Sequence, residues 1–126
     1  MQIVRYRDVQ PHEDVPGVFR RVVIGPEQGA PRFVMRVFEL LPGCSTPYHV
    51  HDWEHEVFVI SGRGVIRSIS GETPIDEETA VYVAPGEEHC FTNRGGGVLK
   101  VICVIPAHGH LDPGRGNPGG EEGAAG

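Results

Sequence analysis

The side chains best equipped for chemistry crowd into one stretch, HVHDWEHE at positions 49–56. Three of the seven histidines, His49, His51 and His55, sit there. Neutral imidazole is a ligand for divalent transition metals. Two imidazoles two residues apart on an extended strand project to one face and can share an ion. His55 opens the run HEVFVIS, where alternation puts His55, Val57 and Val59 on one side and Glu56, Phe58 and Ile60 on the other. Asp52-Trp53-Glu54 is then the connection that swings His55 back beside the first pair. A solvated surface cluster is the plainer reading, but three same-face histidines bounded by strand-like runs argue against it. The four-residue gap from His51 to His55 also suits a helix; Thr46-Pro47 before it and the β-rich run after it do not. The H-x-H-x-D-H order of metallo-hydrolases lies close, but its acid and third histidine fall out of register here.

The elements that must carry these residues are short. VFRRVVI (18–24), RFVMRVFEL (32–40), EVFVISG (56–62), GVIRSIS (64–70), AVYVAPG (80–86), HCFTN (89–93) and VLKVICVIP (98–106) are rich in β-branched and aromatic residues. Glycine or proline stops each run, and Gly62-Arg63-Gly64 has the composition of a tight hairpin turn. Turn signals about every 10 residues predict a β-sandwich or barrel. Only residues 75–79 could form a helical turn. A further strand-like stretch, IVRYRDV, lies at 3–9. The predicted division is one barrel domain over 1–106 and a Gly/Pro-rich tail over 107–126 that buries too little surface to order itself.

Composition narrows the function. The 126 residues carry a net charge of -6, with 39% hydrophobic and 22% charged residues. No basic stripe offers a phosphate footprint, so no nucleic-acid partner is expected. No apolar run approaches the about 20 residues of a membrane helix. The N-terminus, MQIVRYRDVQ, has no apolar leader core, and a cytoplasmic location is expected. Three cysteines, Cys44, Cys90 and Cys103, suggest free thiols rather than a disulfide framework.

Two motifs in order carry a family resemblance. Gly43-x5-His49-x-His51, an acid or histidine four or five residues on, and Gly62 resemble the first cupin motif, G-x5-H-x-H-x(3,4)-E-x6-G. Residues 84–93, APGEEHCFTN, resemble the second motif, P-x-G-x2-H-x3-N, with Gly86, His89 and Asn93 in place. The proline slot holds Ala84, with Pro85 beside it, and a glycine slot six residues earlier holds Glu78. The chain thus resembles the cupin superfamily, which implies an all-β double-stranded β-helix, the jelly-roll barrel. The WEHEVFVISG wording is similar to small single-domain cupins whose metal, often manganese, is held by four histidines. On that resemblance the metal ligands are His49, His51, His55 and His89. Glu56 is the alternative third ligand; strand parity and the six-residue gap to Gly62 favour His55.

Four neutral imidazoles would leave the ion its full charge and about two open positions if it is octahedral. The expected cofactor is a divalent transition metal, Mn or Fe by resemblance, with Zn, Ni or Cu able to take the site by affinity. Leu99, Val101, Cys103 and Ile105 share a face of the last strand, which makes Cys103 a candidate catalytic thiol or a small buried hydrophobe. Phe91 shares parity with His89 and is a candidate cavity-lining residue. Cys90 has the opposite parity, and Cys44 has no assigned role. Alternation is ambiguous at Arg36: a solvated face is expected, and facing inward it could clamp a substrate carboxylate. Trp53 and Tyr48 flank the ligands as packing aromatics, and His108 and His110 are expected solvated. His12 has no context.

The function expected is that of an oxidoreductase of dioxygenase type, acting on a small oxygen-rich or enolisable molecule in the barrel. The alternatives are a non-catalytic small-ligand-binding cupin, or a metal-dependent isomerase or lyase with Glu54 or Glu56 as base if turned inward. A homodimer is expected, because cupins commonly pair, often through N-terminal strands.

Overall fold

The structure is a computed structural model that describes residues 1–48 and 50–110. Nine strands run β1 (His12–Val15), β2 (Val18–Ile24), β3 (Phe33–Leu40), β4 (His55–Ser61), β5 (Gly64–Ser68), β6 (Gly71–Ile75), β7 (Ala80–Val83), β8 (Cys90–Asn93) and β9 (Leu99–Pro106). They form a six-stranded sheet, β1-β2-β3-β9-β4-β7, and a three-stranded sheet, β6-β5-β8, whose pairings are all antiparallel. This is the all-β jelly roll that the sequence predicts. Among the described residues no helix is long and apolar enough to cross a membrane.

Alternation builds the core. On β9, Leu99, Val101, Cys103 and Ile105 are buried while their neighbours are half-exposed. On β4, His55, Val57 and Val59 are buried, and Glu56, Phe58 and Ile60 are exposed. On β3, Val34, Arg36, Phe38 and Leu40 turn inward. Each fully buried Val, Leu or Phe side chain contributes about 1.5–3 kcal/mol of transfer free energy. Arg36 is 2% exposed, which overturns the solvated face expected for it. The reason is register: Arg36 pairs with Cys103 and shares parity with Phe38 and Leu40, so the apolar residues around it carry it into the interior.

Three local readings change. Gly62-Arg63-Gly64 is not a hairpin, because β4 and β5 belong to different sheets. It is a corner: Gly62 has φ 88, and a Cβ there would lie 2.4 Å from the carbonyl oxygen of Val98. A Cβ on Gly64 would lie 2.1 Å from that of Thr92. The tight hairpin instead joins β5 to β6, with Ser68 opposite Gly71. The strands β1 and β6 escape the sequence pattern because both are edges, charged in HEDV and proline-bearing in GETPI. The stretch IVRYRDV forms no strand; it holds a 3-10 turn at Tyr6–Asp8. Tyr6 hydroxyl donates to Glu39, Arg21 Nη1 donates to Glu39 Oε1 at 2.7 Å, and Arg21 Nε donates to the Val9 carbonyl at 2.9 Å. Burial pushes the Tyr6 hydroxyl up, with Glu39 adding to it. For Glu39 burial acts upward, but the Tyr6 and Arg21 hydrogen bonds and the Arg21 charge hold the carboxyl low.

After Pro106 the chain makes one helical turn, α1 (Ala107–His110), and the remainder of the expected tail, 111–126, lies outside the described residues. Gly109 is buried, and a Cβ on it would lie 2.7 Å from the Trp53 ring.

Glu78, in the slot where the family motif carries glycine, has φ 68. A left-handed backbone costs a non-glycine residue about 1–2 kcal/mol, partly offset by the unfolded-state freedom of glycine. Glu78→Gly should therefore stabilise the fold by about 0.5 kcal/mol. Gly62→Ala should destabilise it by about 3 kcal/mol, from backbone collision and strain. Thermal unfolding of the two variants beside the wild type checks both signs.

Candidate metal centre

The site is built where the two motifs meet. Residues 43–46 run beside β8: Gly43 N–H donates to the Asn93 carbonyl, Asn93 N–H to the Cys44 carbonyl, and Thr46 N–H to the Phe91 carbonyl, at 2.9–3.1 Å. Thr46 Oγ1 accepts from Phe91 N–H at 2.9 Å. Asn93 is fully buried; its amide donates to the carbonyls of Leu40 and Gly97, and its oxygen accepts from Gly95 N–H. This fastens the histidine-bearing loop to the strand that follows His89. The segment 50–54 is irregular rather than strand, so shared strand parity does not place His51. A backbone bond does: Gly86 N–H donates to the His51 carbonyl at 2.6 Å, with Gly86 at φ 81.

His51, His55 and His89 converge. All three are buried, and one ring nitrogen from each lies within 4.8 Å of the others. Two nitrogens bound to one ion at about 2.1 Å stand about 3 Å apart when cis and about 4.2 Å apart when trans, so the cluster is close to ligating dimensions. The rings are held from behind. His89 Nδ1 meets the Glu87 carbonyl at 2.9 Å, which directs its Nε2 to the cluster. His55 Nδ1 lies 3.5 Å from Cys103 Sγ. Trp53 stacks on His51 with centroids 4.0 Å apart and on His55 at 5.0 Å, and Phe91 meets His89 edge to face at 6.1 Å. These residues fit a divalent metal: the donors are nitrogen, buried and oriented.

His49 lies outside the described residues. Glu56 is on the outer face of β4, turned away from the cluster. Glu54 is also exposed, so neither glutamate is the inward base considered from sequence. Phe91 and Cys103 are buried beside the cluster. Cys90 is buried, with its sulfur 3.8 Å from Arg67 Nη1, and Cys44 packs under Gly17. All three cysteines are free thiols. Tyr48 is exposed, with the Arg67 guanidinium over its ring. His110 is half-buried rather than solvated; burial first, then Arg36 and Arg20, hold its imidazole below the usual range.

Sequence reasoning missed two residues here. Trp53 is a packing aromatic, as expected, but its partners are the candidate ligands themselves. Arg36 donates from Nη2 to Cys103 Sγ at 3.0 Å and lies over the Phe38 ring. Its parity with Phe38 and Leu40 was the available signal.

Comparison with known proteins gives a consistent picture. A profile of the cupin domain matches residues 36–105. Tetracenomycin polyketide synthase protein TcmJ of Streptomyces glaucescens is 28% identical over 111 residues, covering 82% of this chain and 74% of that protein. The oxalate-binding protein of Thermotoga maritima is 31% identical over 68 residues, 53% of this chain and 56% of that one. Among solved structures, the polyketide cyclase RemF from Streptomyces resistomycificus matches with a TM-score of 0.78 at 29% identity, covering 85% of this chain and 80% of that one.

The placement of the histidines makes a sharp prediction about metal content. His51→Ala and His89→Ala should each weaken Co(II) or Mn(II) binding by about a hundredfold or more, because a ligand contributes more than the outer partners worth about 10–100-fold. Glu56→Gln should leave binding unchanged. Elemental analysis after dialysis, with circular dichroism to check folding, distinguishes these outcomes.

Proposed function

The chain belongs to the cupin family, and from that premise we propose that it is a metal-dependent small cupin that closes rings on an enolisable, oxygen-rich molecule of polyketide type. The observation that carries the reading is the convergence of three buried, oriented imidazoles. The relatives that span most of this chain, a polyketide synthase protein and a polyketide cyclase, support the substrate class.

The proposed ligand set is His51, His55 and His89, with His49 as the fourth, and Mn or Fe as the working ion. Zn, Ni or Cu would compete by affinity. A divalent ion held by neutral imidazoles supplies Lewis acidity toward the oxygens of a β-dicarbonyl group. The chain supplies the rest. Trp53 and Phe91 wall the histidines and keep water from their rings, and Cys103 and Glu87 fix two ring orientations. Ring closure in this chemistry joins an enol carbon to a carbonyl carbon. One carbon loses a proton, the oxygen of the other gains one, and water leaves on dehydration. No oxidant is consumed.

The dioxygenase reading remains the second, favoured by the open positions that a set of three or four imidazoles would leave on an octahedral ion. A ligand-sensing cupin without turnover is the third. Anaerobic incubation of Mn(II)- or Co(II)-loaded protein with a 1,3,5-triketone separates them. Cyclised product without dioxygen is the expected result, abolished by His51→Ala. Dioxygen uptake coupled to substrate loss would replace this reading with the oxygenase one. Tight binding without turnover would leave the sensing role.

The one-domain division, barrel to residue 106 and tail beyond, is kept as part of this proposal, as is a homodimer. The outer face of the large sheet presents Phe33, Met35, Phe58, Ile60 and Tyr82, which are 39–66% exposed. They sit on β3, β4 and β7 of one sheet, with β9 between β3 and β4. Phe58→Arg should convert a dimer to a monomer in light scattering without changing metal content. A monomeric wild type at high concentration would refute the assembly.

A further inference from the structure

Behind His55 lies a buried polar chain that the ring-closing reading leaves unused. Cys103 on β9 stands opposite Arg36 on β3 and opposite Val57 on β4. Cys103 and His55 are 0% exposed and Arg36 is 2% exposed. Arg36 Nη2 lies 3.0 Å from Cys103 Sγ, and the same sulfur lies 3.5 Å from His55 Nδ1. One sulfur atom therefore separates a guanidinium from a candidate metal ligand.

Chemistry fixes one of the two contacts outright, and ligation by His55 through Nε2 would fix the other, because the thiol can either donate its own hydrogen to Nδ1 or accept from it. A guanidinium has donors and no acceptor, so the sulfur accepts from Arg36. A neutral imidazole has one N–H and one lone pair, and the partner of one nitrogen decides what the other offers. If Nδ1 carries the proton, Nε2 presents its lone pair; if Nδ1 is the acceptor, Nε2 carries the proton and cannot ligate. At His89 the choice is made by the Glu87 carbonyl, an acceptor only, at Nδ1. At His55 the group 3.5 Å from Nδ1 is the Cys103 sulfur.

We infer that Cys103, held by Arg36, is a positioning residue that accepts the Nδ1 proton of His55 and so turns the Nε2 lone pair toward the metal. This role replaces the catalytic thiol considered from sequence: the sulfur acts through His55 and touches no substrate. It also gives buried Arg36 a task, since its guanidinium donates to the sulfur and stops the Cys103 side chain from rotating away from the ring. The inference rests on His55 being a ligand in the proposed function.

The test is ring-nitrogen NMR of the full-length, uniformly 15N-labelled protein, first metal-free and then titrated with Zn(II). In metal-free wild type, His55 should be a single neutral tautomer with its proton on Nδ1. Cys103→Ala should shift it to a tautomer mixture and weaken metal binding by about 10–100-fold. Cys103→Ser should keep the Nδ1 proton and bind within a few-fold of wild type, because a hydroxyl oxygen also accepts; a purely packing role for Cys103 would not be rescued this way. Arg36→Met should broaden the His55 tautomer signal in the same direction as Cys103→Ala. A wild-type proton on Nε2, or an unchanged His55 tautomer in Cys103→Ala, would overturn the inference. If the alanine variant does not fold, the wild-type and serine spectra decide. A protein with the expected tautomer that binds no metal would instead sink the metal reading and leave the positioning role intact.

Discussion

A buried imidazole is stable only when the protein has settled where its proton goes. That constraint governs this structure more than any single apolar contact. Three histidines are driven inside by the parity and loop geometry of their segments, in surroundings where an unmatched polar ring costs about 1–3 kcal/mol. The Glu87 carbonyl, an acceptor at Nδ1, settles His89, and the Cys103 sulfur stands at Nδ1 of His55. One ring nitrogen from each of the three lies within 4.8 Å of the others, an arrangement that suits a cation between them. The barrel thus carries an interior that a positive ion would relieve, which links its stability to its chemistry.

The rest of the architecture brings the two ligand-bearing segments into register. His55 sits at the start of β4, His89 immediately before β8, and His51 in the loop between the sheets, so no one element could align them. Alignment comes from backbone bonds between the segments: Gly86 to His51, Thr46 to and from Phe91, and Asn93 across the β8–β9 turn. The asparagine of the second motif is thereby a structural residue. Its amide donates to the buried carbonyl of Leu40 and to that of Gly97, and so holds the loop that lets β9 cross into the large sheet.

How much of this the sequence discloses depends on whether the information is local. Alternation is local, and the buried faces of β4 and β9 follow from it. Turn composition is local too, but it does not say which strands a turn joins. Hence Gly62-Arg63-Gly64 has the makings of a hairpin and is instead a passage between sheets, forced by the carbonyls of Val98 and Thr92 arriving from distant sequence. Arg36 fails for the same reason: its residue type favours solvent, and only the β3–β9 register puts Cys103 beside it. Edge strands β1 and β6 carry no apolar period because they have one paired side and little core to face. That His89 joins His51 and His55 was legible only through motif resemblance, since it lies far along the chain and no periodicity connects the two segments.

Register also decides the kind of metal chemistry open to the site. On β4, His55 and Glu56 are consecutive, so a slip of one residue would exchange a neutral nitrogen donor for a carboxylate. The native register is pinned from both ends. Antiparallel pairing sets His55 against Val83 and Glu56 against Val104, and an irregularity between Val59 and Ser61 takes up the mismatch before the Gly62 corner. Moving that irregularity toward the start of β4 would bring Glu56 inside and lower the net charge of a loaded site by one. The irregularity near Ser61 and the glycine after it therefore help decide whether a nitrogen or a carboxylate donor faces the cluster, although neither touches it.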